Sequence, residues 1–576
     1  MNKITFCALI LSISAVVQAQ EQTSGGTITG NMETSFQYLN EDSLIGAAQP
    51  DTKGLMNTYM NVFYTQGNFK AGMRFESYLP RIQGYPNRFD GTGIGMRYVG
   101  YENDFIDITL GSFYEQFGSG MIFRAYEDRA LGYDNLMDGG RVVVRPMSGV
   151  KIKGVYGRQR LSFQNGLIVH SDGITRGFDG EINLNTAVKS LKSKKLKVTL
   201  GGSFMSKWQD DDREDLILPE NVGAYGGRVK LKYKKFALDG EYIIKEQDPS
   251  SDNNFNYNYG HAALLNFNYS TRGLGIALSA KSVDNMSYRS DRTKTLQDLF
   301  INFLPPMNKL HTYNLVSSLY PYATQPVGEI AFQGELLYTL KRGSKLGGKY
   351  GTSINLNYSS AYGPSRDLSG VNVQDSSGIA YSTGLFDMSD SLYWQDINVN
   401  VYRKFNKSFY MRLSYFNISL NNDVGKVTGD AKGIINTNIG VIDMGYKINK
   451  KHSIRAELQA LFVTPDKYGN INDKGDWATV LIEYNVSPSW FFSVMDQWNL
   501  PNEKLNDIYG SDIEAGDDDL TKSGLHFPYV SAGYIHEATR LTFGYGRQRA
   551  GLFCVGGVCR FVPASNGLTV SVTHSF

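Results

Sequence analysis

The chain has 576 residues, and its 58 Lys plus Arg against 56 Asp plus Glu leave it almost uncharged. This balance excludes a globally basic nucleic-acid binder. Three cysteines are too few for a fold built on disulfide bonds. Tyrosine and glycine are abundant and proline is scarce, a composition that favours strands and turns over helices.

The first residues have the pattern of a secretory signal peptide. Met1-Asn2-Lys3 precedes an apolar stretch from Ile4 to Val17, and small residues flank a cleavage point before Gln20. We predict a signal peptide over residues 1–19 and a short periplasmic segment over residues 20–26. No later run reaches the roughly 20 apolar residues of a transmembrane helix, so we expect an exported chain without a helical anchor.

Apolar and charged residues then alternate along most of the chain. In residues 68–79 one parity is apolar, and the other carries Lys70, Arg74 and Glu76. Successive side chains of a strand point to opposite faces, so such a strand has one apolar and one charged face. The split recurs in residues 227–233, 394–405 and 453–463. These segments have about the ten residues that a tilted strand needs to cross a bilayer.

Short and long connections take turns between these segments. Links such as residues 66–67, 406–407 and 449–450 are short, whereas the long polar links are residues 40–54, 115–139, 283–325, 361–391 and 499–526. Outer-membrane barrels have short periplasmic turns and long external loops. The pattern predicts an all-β fold: a single large closed antiparallel transmembrane β-barrel over residues 27–576, with about 24 strands and a range of about 22 to 26.

The last ten residues form the predicted closing strand. Leu568, Val570, Val572 and His574 make a lipid-facing stripe, and this strand must pair with a first strand near residues 27–39 so that no edge is left unpaired in lipid. A final strand that ends in phenylalanine, here Phe576, resembles the assembly signal of outer-membrane barrels. The resemblance implies the barrel-assembly machinery as a partner during insertion.

Charged residues of the inward parity are expected to face the lumen, because Arg or Lys in lipid at mid-depth costs roughly 2 to 4 kcal/mol. They are Arg74, Glu76, Arg97, Arg141, Arg145, Lys151, Lys153, Arg228, Lys230, Lys232, Asp239, Glu241, Glu329, Glu335, Arg455 and Glu457. Bases dominate the early strands and acids the later ones. Three interpretations stay open: a field across an open pore, pairing with an occluding segment, or a charged periplasmic rim.

Residues 115–139 are a candidate constriction loop, rich in glycine, aromatic residues and charges of both signs. Folded inward, the loop would set the local field of a pore through its charged residues, which are Arg124, Glu127, Asp128, Arg129 and Asp134. The alternative is a packed cap outside the membrane.

The link over residues 185–195 is the one long connection expected on the turn side, and it is strongly basic. A solvated turn is the preferred interpretation. Docking on an acidic partner or on the cell wall is the alternative.

Cys554 and Cys559 enclose Val-Gly-Gly-Val, whose glycines allow a tight reversal that brings the two sulfurs together. We predict a disulfide in an oxidising compartment, with a metal or redox role as the alternative. Cys7 leaves with the signal peptide.

No motif supports catalysis. The side chains of His170-Ser171-Asp172 diverge on an extended segment, and Arg540 stands where the second histidine of a zinc-protease motif after His536 belongs. The acidic runs 210–215 and 512–519 lack the spacing of a calcium-binding loop, although divalent cation binding there stays open. We therefore expect no enzyme activity, no cofactor, no metal site and no nucleic-acid partner.

Two segments, "FGSGMIFRAYEDRALGYDNLMDG" and "RAGLFCVGGVCRFVPAS", resemble those of large, uncharacterised outer-membrane β-barrels of Bacteroidota-type bacteria. The resemblance runs along most of the mature chain and implies an outer-membrane barrel. It implies no activity and no site.

The sequence thus predicts a protein of the outer membrane of a Gram-negative bacterium, with membrane lipid as its surroundings and other envelope proteins as further partners. The leading hypothesis is a porin-like channel for passive or loop-gated passage of hydrophilic solutes. The alternative is a non-catalytic barrel subunit of a secretion or surface-assembly complex, with a lumen filled by loops.

Overall fold

The computed structural model describes residues 25–211, 213–367, 381–424, 433–464, 474–503, 505, 520–555 and 558–576, with side chains left out for 552–560. The predicted signal peptide lies outside these residues, as do residues 20–24. Twenty-four strands form one sheet in which each strand pairs antiparallel with its neighbours. The first strand pairs with the last, so the sheet closes and the predicted barrel is confirmed.

The wall strands are numbered in chain order. They are β1 Thr27–Asn40, β2 Gly54–Gln66, β3 Phe69–Tyr78, β4 Gly91–Glu102, β5 Ile106–Phe113, β6 Met137–Val144, β7 Val150–Gln164, β8 Leu167–Asn183, β9 Leu196–Trp208, β10 Asn221–Tyr233, β11 Phe236–Lys245, β12 Gly260–Thr271, β13 Leu274–Asp284, β14 Gly328–Leu340, β15 Thr352–Pro364, β16 Met388–Lys404, β17 Phe409–Asn421, β18 Ile434–Lys447, β19 His452–Thr464, β20 Trp477–Val486, β21 Trp490–Asn499, β22 Leu525–His536, β23 Thr539–Gln548 and β24 Ser565–Ser575.

The seam between β1 and β24 is held to the last residue. The Gly30 and Phe576 backbones exchange two hydrogen bonds, of 2.8 and 2.9 Å. A Cβ on Gly30 would lie 2.4 Å from the Phe576 ring, so only glycine fits beneath this side chain. The register sets Leu568 beside Tyr38 and Tyr545, both of which are exposed on the outer surface.

The two faces of the wall differ as the alternation predicts. Phe69, Val99 and Leu110 on the outer face are 63%, 58% and 57% exposed, whereas Arg74 on the inner face is 2% exposed. Large apolar side chains therefore form the outer surface, and charge lies within. No helix among the described residues is long and apolar enough to cross a membrane.

Most short turns gather at one end of the barrel, the turn end, and most long loops at the other, the loop end, which also has the two-residue connection 165–166 between β7 and β8. Short helices lie at both ends: α1 Leu184–Ala187, α2 Asn314–Ser318 and α3 Leu520–Ser523. The turn end has two long connections, residues 184–195 and residues 341–351. The sequence analysis predicted only the first of them.

Charge is divided between the two ends. The turn-end connections contain only two acids, Asp104 and Glu537, and fifteen bases, which are Arg145, Lys189, Lys192, Lys194, Lys195, Lys234, Lys235, Arg272, Lys341, Arg342, Lys345, Lys349, Lys407, Lys450 and Lys451. The loop-end connections contain 34 acids and 19 bases. The small net charge of the chain hides this polarity.

An apolar core lies inside the barrel towards the loop end. Phe117, Ile122 and Phe123 of one loop pack with Ile301 and Leu315 of another and with apolar residues of the inner wall. The strands β5 and β6 have 8 residues each, against 15 and 17 in β7 and β8. The chain therefore leaves the wall early after β5 and turns into the lumen.

Candidate functional site

The connection between β5 and β6, residues 114–136, folds inward and is called the inward loop. A buried ion-pair network fastens it to the wall. Arg160 donates to both carboxylate oxygens of Glu76, at 2.8 and 2.7 Å, and to Asp134 of the loop at 3.0 Å. Arg74 donates to the same two acids, at 2.7 and 2.9 Å. All four groups are at most 9% exposed, so the loop is held by charges that have lost their water.

The network continues outward through the loop. Glu127 accepts from Arg74 at 2.9 Å and from Arg129 at 2.9 Å, and Arg129 reaches Glu33 of β1 at 2.7 Å. Four of the five predicted constriction charges therefore bind partners in this region. Three of them, Glu127, Arg129 and Asp134, belong to the network, and the fourth, Asp128, accepts from the Leu131 backbone at 3.1 Å.

The fifth predicted charge, Arg124, lies against aromatic rings. Its guanidinium is 4.1 Å from the centre of Tyr126 and 4.2 Å from that of Phe303, both short cation–π distances. The loop lies inside the barrel, and its role as a constriction stays a prediction. Its charges pair with one another and with the wall.

A second anchor lies where the inward loop begins. Glu115 accepts from Arg141 at 2.6 Å and from Lys153 at 2.7 Å. Further along, the Ser119 backbone donates to Glu241 of β11 at 2.9 Å. The loop thus contacts five strands, β1, β3, β6, β7 and β11, which lie within the eleven consecutive strands β1–β11 of the 24-strand ring.

The connection between β13 and β14, residues 285–327, is called the crossing loop. Its first part lies against the inward loop and one side of the wall. Gln159 of β7 donates to the Phe300 carbonyl at 2.8 Å, and the Tyr288 hydroxyl donates to the Val222 carbonyl of β10 at 2.8 Å. Backbone hydrogen bonds of 2.9 Å join the two loops, from Arg124 to Ile301 and from Phe303 to Gly120.

The second part of the crossing loop reaches the opposite side of the wall. Lys309 lies 2.6 Å from Glu335 of β14, and the His311 ring lies 2.7 Å from Asp396 of β16. The Leu315 backbone donates to Gln459 of β19 at 3.0 Å. Because β7 and β19 face each other in a ring of 24 strands, one loop spans the full width of the lumen.

A cavity of about 390 Å³ separates the crossing loop from part of the wall. Lys309, His311 and Tyr313 line it from the loop side, and Tyr402 and Arg412 line it from the wall. The loop is therefore packed tightly at its first part and loosely here.

Lys474, beside the loop end of β20, holds the far part of the crossing loop. Its backbone donates to the Tyr320 hydroxyl at 3.0 Å. Burial, reinforced by the nearby Arg549 guanidinium, lowers the pKa of Lys474 to about 8.

Most of the predicted lumen charges lie on the inner face beside an opposite charge. Arg228 donates to Asp179 at 2.6 and 3.0 Å, and Arg455 contacts Asp443, Glu457 and Glu483. Lys281, which the prediction omits, pairs with Glu329 at 2.8 Å. Early bases thus have acids on adjacent strands, and the predicted opposed sectors are neutralised locally. Lys151, Lys230, Lys232, Asp239 and Glu241 share the inward parity of Lys153 or Arg228.

Two of the predicted positions are wrong. Arg97 pairs in register with Met73 and shares the outer face with Val99; it is half exposed and reaches Asp138 at 3.2 Å. The glycine-rich strand around it has too few apolar residues to reveal its parity. Arg145 lies in the turn after β6, 3.8 Å from Glu102, and belongs to the rim.

The sequence also missed Arg160, the centre of the buried network. Odd-numbered residues of β7 such as Lys153 face inward, which would place Arg160 outside. Register shifts on both sides of Arg160 reverse the parity and turn it into the lumen. The sequence does not show where this bulge lies, so the alternation alone places Arg160 on the wrong face.

Cys554 and Cys559 are partners in the register of a hairpin formed by Gly551–Val555 and Val558–Val562. Directly opposed residues of an antiparallel pair have Cα atoms about 4.5 to 5.5 Å apart, within the range of a disulfide. Their side chains lie outside the described residues. The predicted disulfide therefore stays a prediction.

The acidic runs show local contacts where they are described. Asp211 accepts from the Leu218 backbone at 2.9 Å, and Arg213 pairs with Asp215; Asp212 and residues 512–519 lie outside the described residues. Within the described ranges no three His, Cys, Asp or Glu side chains are arranged to hold a metal ion.

Solved structures with a similar strand arrangement include the siderophore receptor PirA from Pseudomonas aeruginosa, at a TM-score of 0.40 and 10% identity, covering 95% of this chain and 80% of that one. The outer membrane transporter YddB from Escherichia coli scores 0.40 at 8% identity, covering 95% and 81%. Acinetobacter baumannii OccAB3 scores 0.33 at 12% identity, covering 81% and 99%. Likeness at this level carries no functional argument.

A comparison with curated proteins finds no match. The sequence resemblance to large barrels of unknown activity agrees with the family that is found, while the bacterial group named with it stays a prediction. A model of the family of unknown function DUF6029 matches residues 1–576, and the chain belongs to that family.

Proposed function

We propose that this protein is an outer-membrane channel of a Gram-negative bacterium that its own loops close, so that hydrophilic solutes pass only when the crossing loop moves. The observation that carries the proposal is the path of this loop, which contacts Gln159 on β7 and Gln459 on the opposite β19. A passive porin needs an open bore, and this bore is crossed.

The wall itself supports a place in a membrane. Its outer face exposes large apolar side chains such as Phe69, Val99 and Leu110, and its inner face carries paired charges. Every wall strand is hydrogen-bonded on both sides, which leaves no unpaired edge in lipid. A closed strand wall with this polarity is the form in which a chain without a spanning helix crosses an outer membrane.

The far part of the crossing loop supports a gate. Beside a cavity of about 390 Å³ the loop meets the wall through two polar contacts, Lys309 with Glu335 and His311 with Asp396. The residues that follow, among them Tyr313, Leu315 and Leu319, are buried in the apolar core. Polar contacts of this kind exchange readily for water once the cavity is wet, since each contributes only about 0.5 to 3 kcal/mol. Release of these two contacts frees the segment beside the cavity from the wall, and the gate proposed here is this segment.

A second candidate is a scaffold subunit of an envelope complex with a permanently filled lumen. The buried network of Arg74, Glu76, Asp134 and Arg160 favours it, because this network fixes the inward loop firmly. The two candidates differ in whether the crossing loop moves.

Cross-linking the loop to the wall tests the gate. We suggest His311→Cys with Asp396→Cys in a background of Cys554→Ser and Cys559→Ser, treated with a short reducible thiol cross-linker. The uncross-linked variant should show intermittent openings in a planar bilayer. Cross-linking should reduce their frequency at least tenfold, and a reductant should restore it.

The matched control joins two wall strands without touching the loop. Ser493→Cys with Ser531→Cys suits this purpose, because the two hydroxyls lie 2.7 Å apart on β21 and β22. Its conductance should not change on cross-linking. Undiminished openings of the His311–Asp396 cross-linked form would refute the gate, and silence of every form would favour the scaffold.

A further inference from the structure

The turn end of the barrel carries a concentrated positive surface that the channel proposal does not use. Two neighbouring parts of it, residues 184–197 and residues 230–235, are together called the basic platform. Lys189, Lys192, Lys194 and Lys195 in the first part are all exposed. Lys230, Lys232, Lys234 and Lys235 in the second are exposed as well. We propose that the basic platform is a docking site for an acidic segment of a partner protein.

The lysines of the platform are held close together with little compensation. Lys197 and Lys232 are direct cross-strand partners on β9 and β10, an arrangement of like charges that destabilises a sheet. Among the described residues, the only ion pair of a platform lysine joins Lys230 to Glu181, at 3.6 Å; Lys230 also has Asp239 as its cross-strand partner, so the uncompensated charge lies on the other platform lysines. This contrasts with the lumen, where Arg228, Lys281 and Arg455 each have an acid. The platform thus keeps a repulsion that an external anion would relieve.

The first part of the platform is built as a fixed structure. Asn185 is buried, and its side-chain amide donates to the Leu191 and Leu196 carbonyls at 2.8 and 2.9 Å. Its side-chain oxygen accepts from the Val198 backbone at 2.8 Å. Asn183 caps the turn by accepting from the Thr186 backbone at 3.1 Å. A turn that serves only solubility needs no such internal framework, whereas a docking site gains affinity from it.

The two parts fit one extended peptide. They lie on connections separated by two strands, about 10 Å along the rim at about 4.8 Å per strand. An extended chain covers that distance in about three residues, so an acidic segment of about six to eight residues contacts both parts. Its carboxylates would bind ammonium groups on successive lysines.

The position of the platform favours a protein over membrane lipid. Lys197, Lys230 and Lys232 share the inner face with Arg228 and stand at the mouth of the lumen. Headgroups of the surrounding bilayer approach the outer face, where Leu196 and Tyr233 are exposed. A polypeptide entering from the turn end reaches both the mouth and the connections. With the barrel oriented as an outer-membrane protein, such a partner lies in the periplasm.

A defined probe tests the proposal on the full chain in phosphatidylcholine nanodiscs. A fluorescein-labelled octaglutamate peptide should bind saturably, measured by fluorescence anisotropy, and its affinity should fall as salt rises. The variant K189Q/K192Q/K194Q/K195Q removes four exposed charges, and we expect it to bind the peptide about tenfold more weakly.

Two further variants separate a built site from general attraction. K341Q/R342Q/K345Q/K349Q removes as many charges from the other long turn-end connection, and its affinity should fall less than about threefold. Asn185→Ala keeps every charge and loosens the framework, and its affinity should fall about threefold.

Equal weakening by the two fourfold variants would overturn the proposal, as would an unchanged affinity in Asn185→Ala. Displacement of the peptide by short-chain phosphatidylglycerol as readily as by unlabelled octaglutamate would assign the platform to lipid and overturn it too. The platform keeps its predicted role whether or not the crossing loop opens, because no measurement here depends on conductance.

Discussion

Replacing Asp134 by asparagine should release the inward loop. The Asp134 carboxylate accepts from Arg74 at 2.9 Å, from Arg160 at 3.0 Å and from the Tyr114 hydroxyl at 2.9 Å, and it is only 9% exposed. Asparagine keeps the shape and one acceptor oxygen but removes the charge. Two buried guanidinium groups of the wall then lose the anion through which they hold the loop.

The size of the effect follows from the burial of these groups. Removing one partner of a buried ion pair costs about 3 to 5 kcal/mol. The hydrogen bonds that the two arginines keep to Glu76 and Glu127 place Asp134→Asn at the lower end, about 3 kcal/mol. Since each 1.4 kcal/mol is a factor of ten, the released population of the loop should rise roughly 100-fold.

A buried thiol reports this release. Ala125 lies in the inward loop and is 3% exposed, so Ala125→Cys reacts with a maleimide only when the loop opens. In the background without Cys554 and Cys559, Asp134→Asn should accelerate labelling roughly 100-fold. Electrophoretic migration of the unheated protein checks that the barrel remains folded.

The matched control is Glu102→Gln at the turn end of β4. Glu102 pairs with Lys70 at 2.9 Å, and its side chain is half exposed. Solvent screens this pair, so the labelling rate at Ala125→Cys should stay within about twofold of the parent. Equal labelling rates in the two variants would refute the view that buried charge holds the loop.

Three further predictions concern other parts of the chain. Lys474 has a pKa of about 8 in the folded chain against 10.5 in the unfolded chain, so the unfolded state binds more protons between these two pH values. The free energy that protects the crossing loop from proteolysis should therefore increase by up to about 3 kcal/mol as the pH rises from about 8 to 10.5. Lys474→Met should remove this dependence, and a flat wild-type profile would contradict the prediction. Gly30→Leu should reduce the yield of folded barrel, because a Cβ at this position would lie 2.4 Å from the Phe576 ring. Heat-dependent electrophoretic migration measures this yield, and a normal yield would show that the seam adapts. Cys554 and Cys559 should resist alkylation until a reductant is added, and mass spectrometry of free thiols in the untreated protein would show the disulfide prediction to be wrong.

The period-two pattern predicts the wall because each strand in lipid must separate its two faces by itself. Lys70, Arg74 and Glu76 alternate with apolar residues within one strand, so local sequence is sufficient. The closing of β24 on β1 follows from the same constraint, since an open edge in lipid is excluded. Arg97 and Arg160 escape the pattern because glycines and a bulge interrupt it.

The interior is harder to predict, because its contacts join residues far apart in the chain. Leu315 meets Gln459 and Arg549 meets Ser318 only after the whole ring has formed. The composition of the inward loop permitted both an inner and an outer position, and no local signal distinguished them. Likewise, the pairing of Arg228 with Asp179 depends on strand register, which charge counts along the sequence do not contain.

The two ends of the crossing loop leave from the neighbouring strands β13 and β14, so its covalent attachment lies on one side of the ring. Away from these ends the loop meets β18 and β19 through noncovalent contacts only, Tyr313 with Asp443 and Leu315 with Gln459. Under the proposed gate, movement about the attached side would break these contacts and open a gap beside β18 and β19. Small solutes would pass first, and wider solutes would need a larger displacement of the loop. A graded size limit, measured with a series of polyethylene glycols during conductance, is the expected signature of a loop attached on one side.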